Sequence, residues 1–283
     1  MCSKVAFKGT PLMLAGRILQ AGNAAPDFVV TAQDLSGKRL VDFKDKIKVL
    51  TSFPSIDTPV CDLQVKEFNK KASSLSAEVL IIGISKDLPF AQKRFCEAFD
   101  IKNVTLLSDY KTSSFGINYG LLIKELNLLA RSVIILDKNN TIRYIQIVPE
   151  LTNQPDYNEA LGKLEEVVKE PILRQAKSVL RHCVPCEIGT PPLPKEKIGE
   201  LFSGLNNWEL VDNKKIAKEF KFKDFAEAKY FLDILSLIAE EQGHHPGFNL
   251  TYNKLKVTLT THASAGLTEN DFIMAGIIDS VGI

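Results

Sequence analysis

The feature that most constrains this chain is a proline-rich stretch at 183–197, Cys-Val-Pro-Cys-Glu-Ile-Gly-Thr-Pro-Pro-Leu-Pro-Lys-Glu-Lys, set between two helical patterns. Proline locks φ and removes a backbone donor, so no helix or central strand runs through such a segment. The chain is therefore expected to fold as two bodies. Its 283 residues agree, since domains run to roughly 100–200 residues. With 45% hydrophobic residues, each body can bury a core without disulfides or metal.

The two sides of the break carry different patterns. On the N-terminal side, an apolar strand over 48–53 leads through a Pro/Ser/Asp/Thr loop to a helix whose apolar face is Val60, Leu63, Phe68, Ala72 and Leu75. A strand over 78–84, a helix over 90–99 and strands over 104–107 and 131–136 follow. The turn at 137–140 leads to a hairpin partner over 141–148, and a helix over about 155–170 closes the domain. Strands alternating with helices predict an α/β sheet domain. On the C-terminal side come a short helix, a strand pair around 208–222 and a helix over 225–242 with Phe225, Ala228, Leu232, Leu235 and Ala239 at helical spacing. Two strands over about 249–261 and a capped helix from Thr268, with Asp271 in the capping-box position, complete it. Segregated helices and antiparallel strands predict an α+β domain. The expected organisation is a first domain at 1–170, a linking helix at 171–182 and a second domain at 183–283, with no internal repeat.

Charge and cysteine usage narrow the function. Thirty-five Lys and Arg against 34 Asp and Glu give a net charge of +1, which lacks the footprint of a general nucleic-acid binder. No run reaches the roughly 18 apolar residues of a membrane helix, and the opening residues do not read as a secretory signal. Five cysteines, Cys2, Cys61, Cys96, Cys183 and Cys186, are an odd number. Reactive thiols in a reducing cytoplasm are the expectation.

Pro54-Ser55-Ile56-Asp57-Thr58-Pro59-Val60-Cys61 lies where a strand ends and a helix begins. A thiol in a first helical turn meets unpaired N–H groups and the positive end of the dipole, which favour thiolate. Thr58 can hydrogen-bond the sulfur or a substrate oxygen, and Pro59 suits the first helical position. This octapeptide resembles the peroxidatic motif of the thiol peroxidase branch of the peroxiredoxins. Asp87-Leu88-Pro89-Phe90-Ala91-Gln92-Lys93-Arg94-Phe95-Cys96 is similar to the segment holding that branch's resolving cysteine. The resemblance continues through residues 130–137, 148–151 and 155–157 and covers about residues 3–168. It implies a thioredoxin-like fold and an atypical two-cysteine mechanism. In that mechanism Cys61 attacks the peroxide and becomes a sulfenic acid. Cys96 of the same chain condenses with it, and thioredoxin or an equivalent dithiol reduces the Cys61–Cys96 bond. The resemblance gives Thr58 the orientation of sulfur and peroxide, and Arg131 the positive charge that lowers the thiol pKa. From residues alone Arg131 reads as an ordinary ion pair at a strand start. Both cysteines fall in expected helices, so bonding them requires local unfolding, because a disulfide needs Cα atoms within about 7 Å.

Three of the four histidines, His244, His245 and His262, fall within 19 residues near a helix stop at Gly243 and a strand end. Alternation puts His262 on the face of Thr258 and Thr260. Three convergent imidazoles could bind zinc or shuttle protons, and spacing leaves both open beside unrelated surface histidines. His244-His245-Pro246, Tyr252-Asn253-Lys254, Leu259-Thr260-Thr261-His262 and residues 266–271 together resemble pterin-4a-carbinolamine dehydratase, over about 183–278. That family implies metal-free dehydration of 4a-hydroxytetrahydropterin, with one histidine protonating the departing hydroxyl and another taking or relaying the N5 proton. Two departures bear on activity. Gly243 stands where an acidic or amide residue commonly precedes the pair, and Ala263 where bacterial members often carry Asp.

His182-Cys183-Val184-Pro185-Cys186 follows a helix and enters a proline-rich loop, unlike a redox Cys-x-x-Cys, which opens a helix. It reads as structural or adventitious, and Cys2 as a terminal thiol. The expectation is a bifunctional cytoplasmic enzyme, with no bound cofactor or metal, thioredoxin as external reductant and a homodimeric or higher assembly. The alternative is a peroxide sensor or relay fused to a non-catalytic binding or dimerisation module.

Overall fold

Runs of β-branched and aliphatic residues bounded by polar turns become strands in the N-terminal half. The structure, a computed structural model, describes residues 4–73, 75–170, 183–184 and 190–282. The chain divides into two compact units, principally Met1–Leu180 and Arg181–Val281. The linking helix expected at 171–182, Cys2 and Cys186 lie outside the described residues.

In the N-terminal unit, β1 (Lys4–Phe7), β2 (Thr10–Arg17), β3 (Val29–Thr31) and β4 (Gly37–Arg39) precede β5 (Ile47–Ser52), α1 (Pro59–Ala72), β6 (Val79–Ser85), α2 (Pro89–Ala98) and β7 (Val104–Ser108). Then come α3 (Ser114–Asn118), β8 (Leu122–Ile123), β9 (Leu128–Leu129), β10 (Ser132–Leu136), β11 (Ile142–Ile147) and α4 (Tyr157–Lys169). The main sheet has the order β11-β10-β5-β6-β7-β3-β4. Strands β5, β6 and β7 are parallel, with Ile81 paired to Val49 on one side and Val104 on the other, whereas β10 runs antiparallel to β5. Every residue of β5 is buried, the pattern of a central strand covered on both faces. Alternation divides its side chains: Val49 joins Cys61, Val65, Phe68, Ile81 and Leu164 in one cluster, and Leu50 joins Phe28, Ile82, Ile84 and Phe115 in the other. This is the thioredoxin-like arrangement. Helices α1 and α2 both leave the carboxyl ends of parallel strands, where open α/β sheets place their sites.

The face of α1 differs from the expected one. Its buried residues are Cys61, Gln64, Val65 and Phe68, and Leu63 is 54% exposed. Leu63 follows Cys61 by two residues, about 200° round the helix, so both cannot face the sheet.

The C-terminal unit holds α5 (Lys195–Phe202), β12 (Glu209–Val211), β13 (Lys215–Lys221), α6 (Phe225–Gln242), β14 (Gly247–Thr251), β15 (Lys254–Leu259) and α7 (Glu269–Asp279). Its antiparallel sheet has the order β12-β13-β15-β14, and α6 and α7 pack on it. Leu255, Val257 and Leu259 point into the core while Lys254 and Lys256 stay exposed. Asp224 caps α6 by accepting from Glu227 N at 2.9 Å. Gly243 ends the helix in the left-handed region with φ +62°, where a Cβ would be strained. Among the described residues, no helix is long and apolar enough to cross a membrane.

One charged side chain in the N-terminal core was hidden by its apolar neighbours. Lys48, in β5, is fully buried, and its Nζ donates to Asn140 Oδ1 at 2.6 Å. Burial pushes its amine down to about 8, against the pull of Asp137 and Asp45. The unfolded lysine keeps a value near 10.4. Below about pH 8 both states are charged and the full cost of burial is present; between there and about pH 10 only the unfolded state stays protonated, so stability rises with pH. Relative to Lys48→Met, the parent protein should gain about 2–3 kcal/mol across that window, at 1.36 kcal/mol per pKa unit. Denaturant titrations of both proteins at neutral pH and near pH 10 check this, and a pH-independent difference would contradict it.

Candidate functional sites in the two units

The first turn of α1 carries the N-terminal site. Thr58 is the N-cap residue with extended φ and ψ, Pro59 occupies the first helical position, and Cys61 lies in the first turn. Cys61 is fully buried. Instead of capping the helix, Thr58 Oγ1 reaches the sulfur at 2.8 Å. From β10's leading edge, Arg131 Nη2 approaches the same sulfur at 3.4 Å. Arg131 is 1% exposed. Its remaining donors go to Leu151 O, at 2.9 Å from Nη2, and to Gln64 Oε1. Among the described residues no carboxylate pairs with it, which corrects the ion pair read from residues alone. A buried cation without a counter-charge is costly. Beside it lies the Cys61 thiol, a group that can become an anion. The arrangement gathers a guanidinium, a hydroxyl and a helix N-terminus around one sulfur, three groups of the kind that favour thiolate over thiol.

Two residues of this site escaped the sequence reading. Gln64 is fully buried on the sheet side of α1, and its Nε2 donates to Thr51 Oγ1 at 2.6 Å while its Oε1 accepts from Arg131. It fixes the guanidinium against β5. Asp87, in the β6–α2 connection, accepts from Ser55 Oγ at 2.7 Å and from Ile56 N at 2.9 Å, holding the loop before Cys61. A polar residue on the buried face of a helix was the available signal for Gln64; Asp87 had none beyond its place in the motif.

Cys96 sits in the last turns of α2, half-buried against the same apolar cluster as Cys61. Gln33 Nε2 donates to its sulfur at 3.3 Å. Burial pushes the Cys96 thiol up, and the Gln33 hydrogen bond opposes this. Cys61 and Cys96 are both free thiols, each within a formed helix.

In the C-terminal unit the three histidines are placed differently from one another. His244, just after α6, forms a 2.8 Å hydrogen bond through Nε2 with Asp271 Oδ1, its side chain 11% exposed and that of Asp271 fully buried. His245 turns outward, 3.1 Å from Glu240. His262 is exposed. It does not continue the β15 alternation, because the strand ends at Leu259 and His262 opens a 3-10 turn. Mutual Thr261–Gly266 backbone hydrogen bonds close that turn, with Ala265 left-handed. Asp271 links the parts. Its Oδ2 accepts from Thr268 N at 2.8 Å, completing the capping box of α7, and from Thr261 Oγ1 at 2.9 Å, beside His262. Among the described residues no group of three or more His, Cys, Asp or Glu is placed to hold a metal ion.

Cys183 is buried, its sulfur 3.6 Å from Asn270 O. Its backbone N donates to Gln242 Oε1 at 3.1 Å, and Val184 N to Asn270 Oδ1 at 3.0 Å. This segment packs as part of the second unit, which agrees with a structural reading of Cys183.

Residues 20–161 match the family model described as Redoxin, and residues 191–281 match that of Pterin 4 alpha carbinolamine dehydratase. A thiol peroxidase of Oceanobacillus iheyensis is 47% identical over 164 residues, covering 58% of this chain and 99% of that protein. A crystal structure of a peroxiredoxin-like protein from Aquifex aeolicus is 42% identical with a TM-score of 0.56, covering 59% of this chain and 98% of that one. A transcriptional coactivator/pterin dehydratase from Brucella melitensis is 38% identical with a TM-score of 0.30, covering 31% of this chain and 95% of that one. With its thioredoxin-like sheet and a buried cysteine at the start of α1, the chain belongs to the redoxin family, in which it is a thiol peroxidase relative fused to a pterin carbinolamine dehydratase domain.

Proposed function

We propose that the protein is a bifunctional enzyme, a two-cysteine thiol peroxidase joined to a carbinolamine dehydratase. The observation that carries the peroxidase reading is the buried Arg131 guanidinium, which meets no carboxylate among the described residues and donates to the sulfur of Cys61 at 3.4 Å. Cys61 thiolate attacks one oxygen of the peroxide. The O–O bond breaks, the distal oxygen leaves as hydroxide or alkoxide and takes a proton, and Cys61 becomes a sulfenic acid. Thr58 and Arg131 orient the peroxide and stabilise charge on the moving oxygen. The Cys96 sulfur then displaces water from the sulfenic acid, forming the Cys61–Cys96 disulfide. Because both cysteines start within helices, α1's first turn or α2 must unwind for the bond to close. Two electrons from an external dithiol, thioredoxin by our reading, restore both thiols.

In the second unit the dehydratase reading rests on the His244–Asp271 pair. The carboxylate holds Nε2, so Nδ1 is the nitrogen left for a substrate. Dehydration needs an acid at the C4a hydroxyl, which leaves as water, and a base for the N5 proton. Imidazoles supply both near neutral pH, and His245 and His262 both stand exposed. Gly243, one of the two departures from the family pattern, takes the left-handed conformation that ends α6.

Cys61→Ser should abolish peroxide reduction, and stoichiometric peroxide should link Cys61 to Cys96 within one chain. Peptide mapping checks this; finding Cys61 joined to Cys183 or Cys186 would remove Cys96 from the resolving role. His245→Ala or His262→Ala should lower dehydratase turnover about 100-fold or more, while thioredoxin-dependent peroxide reduction stays nearly unchanged. Chelators should leave dehydration intact. Turnover lost on chelation and restored by zinc would contradict the metal-free reading, and equal loss of both activities in folded His262→Ala would contradict separate sites.

A further inference from the structure

The Thr58 hydroxyl carries one proton and has two acceptors in reach, Cys61 Sγ at 2.8 Å and Ser55 O at 3.1 Å. Which one it serves depends on where Ser55 is held. Ser55 O also accepts from Thr58 N at 3.1 Å, so a shift of Ser55 moves both the N-cap backbone and its hydroxyl. Nothing within the loop itself is regular secondary structure. Its hold comes from the next connection, where the Asp87 carboxylate accepts from Ser55 Oγ at 2.7 Å, Ile56 N at 2.9 Å and Ser85 Oγ at 2.7 Å. Gln92 in turn donates to Ser85 Oγ at 3.0 Å and to Leu107 O at 2.9 Å, tying this node to the sheet and to α2.

We propose that Asp87 is a positioning residue of the peroxidatic site, acting through Ser55 to direct the Thr58 hydroxyl at the Cys61 sulfur. This rests on the peroxidase reading of Cys61. The carboxylate never meets the peroxide. A charged acceptor of two loop donors is stronger and more directional than a neutral one. Through it, the loop from β5 and the connection after β6 hold a single geometry. Asp87 lies two residues before Pro89, so the same carboxylate joins the loop preceding Cys61 to the start of the helix that bears Cys96.

The test is a double-mutant cycle in the full chain carrying Cys96→Ser, reading single-turnover sulfenic acid formation on Cys61 by hydrogen peroxide. Asp87→Asn should slow the step about tenfold, the scale of a small misplacement of a catalytic group. In a Thr58→Val background it should cause no further loss, because the hydroxyl through which it acts is gone. A merely structural role would multiply the two losses. An unchanged rate in Asp87→Asn, or multiplying losses, overturns the proposal and leaves the role of Cys61 standing. If Asp87→Asn does not fold, Ser55→Ala takes its place in the same cycle, with a severalfold loss expected and an unchanged rate overturning the proposal. No sulfenic acid on Cys61 in the Cys96→Ser protein itself would instead overturn the peroxidase reading, and this proposal with it.

Discussion

A guanidinium buried without a carboxylate is the interaction on which the N-terminal unit depends. Desolvating an ion costs several kcal/mol unless other groups compensate. Arg131 has three sources of compensation: the Leu151 carbonyl, the Gln64 side chain and the Cys61 sulfur. They come from two parts of the fold, and Arg131 itself from a third. Leu151 follows β11, Gln64 and Cys61 lie one helical turn apart on α1, and Arg131 precedes β10. The antiparallel pairing of β10 with β5 and the placement of α1 over β5 are what bring them together. Fold and site are therefore one construction here, since the packing that makes the cation tolerable also sets the guanidinium against the sulfur.

The C-terminal unit solves a similar problem with the opposite charge. Asp271 is fully buried, and its two oxygens are satisfied by the N-terminus of α7, the Thr261 hydroxyl and His244. A capping interaction worth about 0.5–2 kcal/mol thus also orients an imidazole. The arm at Cys183–Val184 is fastened to Gln242 and Asn270, which precede His244 and Asp271 by two residues and one. The proline-rich segment is consequently more than a spacer, because Leu193 N also bonds Leu267 O across the same loop.

What could be read from the sequence divides by distance along the chain. The octapeptide ending in Cys61 was legible because Thr58 and the thiol are one turn apart, and helix-start chemistry is local. The continuous apolar run of β5 was enough to mark a central strand. It hid Lys48, whose partner Asn140 arrives only with the β10–β11 turn. Strands of two or three residues, β3, β4, β8 and β9, carry too few residues to show a period, and the segments before residue 48 and over 109–130 went unassigned. Gln64 and Asp87 act on residues far away in sequence, so no pattern near them states their roles. His262 was misplaced because alternation was carried past Leu259, beyond the point where the Thr261–Gly266 bridge turns the chain. Asp271 was recognised as a helix cap, yet its second partner follows α6 and could be found only in three dimensions.

If Arg131 serves the Cys61 sulfur and is not simply a strut between β10 and the 151 loop, its loss must fall on the peroxide step. Stopped-flow measurement of the peroxide step in Arg131→Met, with Cys96→Ser to isolate it and circular dichroism to confirm the fold, addresses this directly. The expected loss is about 100-fold or more, the scale of removing a preorganised charge from a water-excluded site. A folded Arg131→Met protein whose Cys61 reacts with hydrogen peroxide at the parent rate would contradict it.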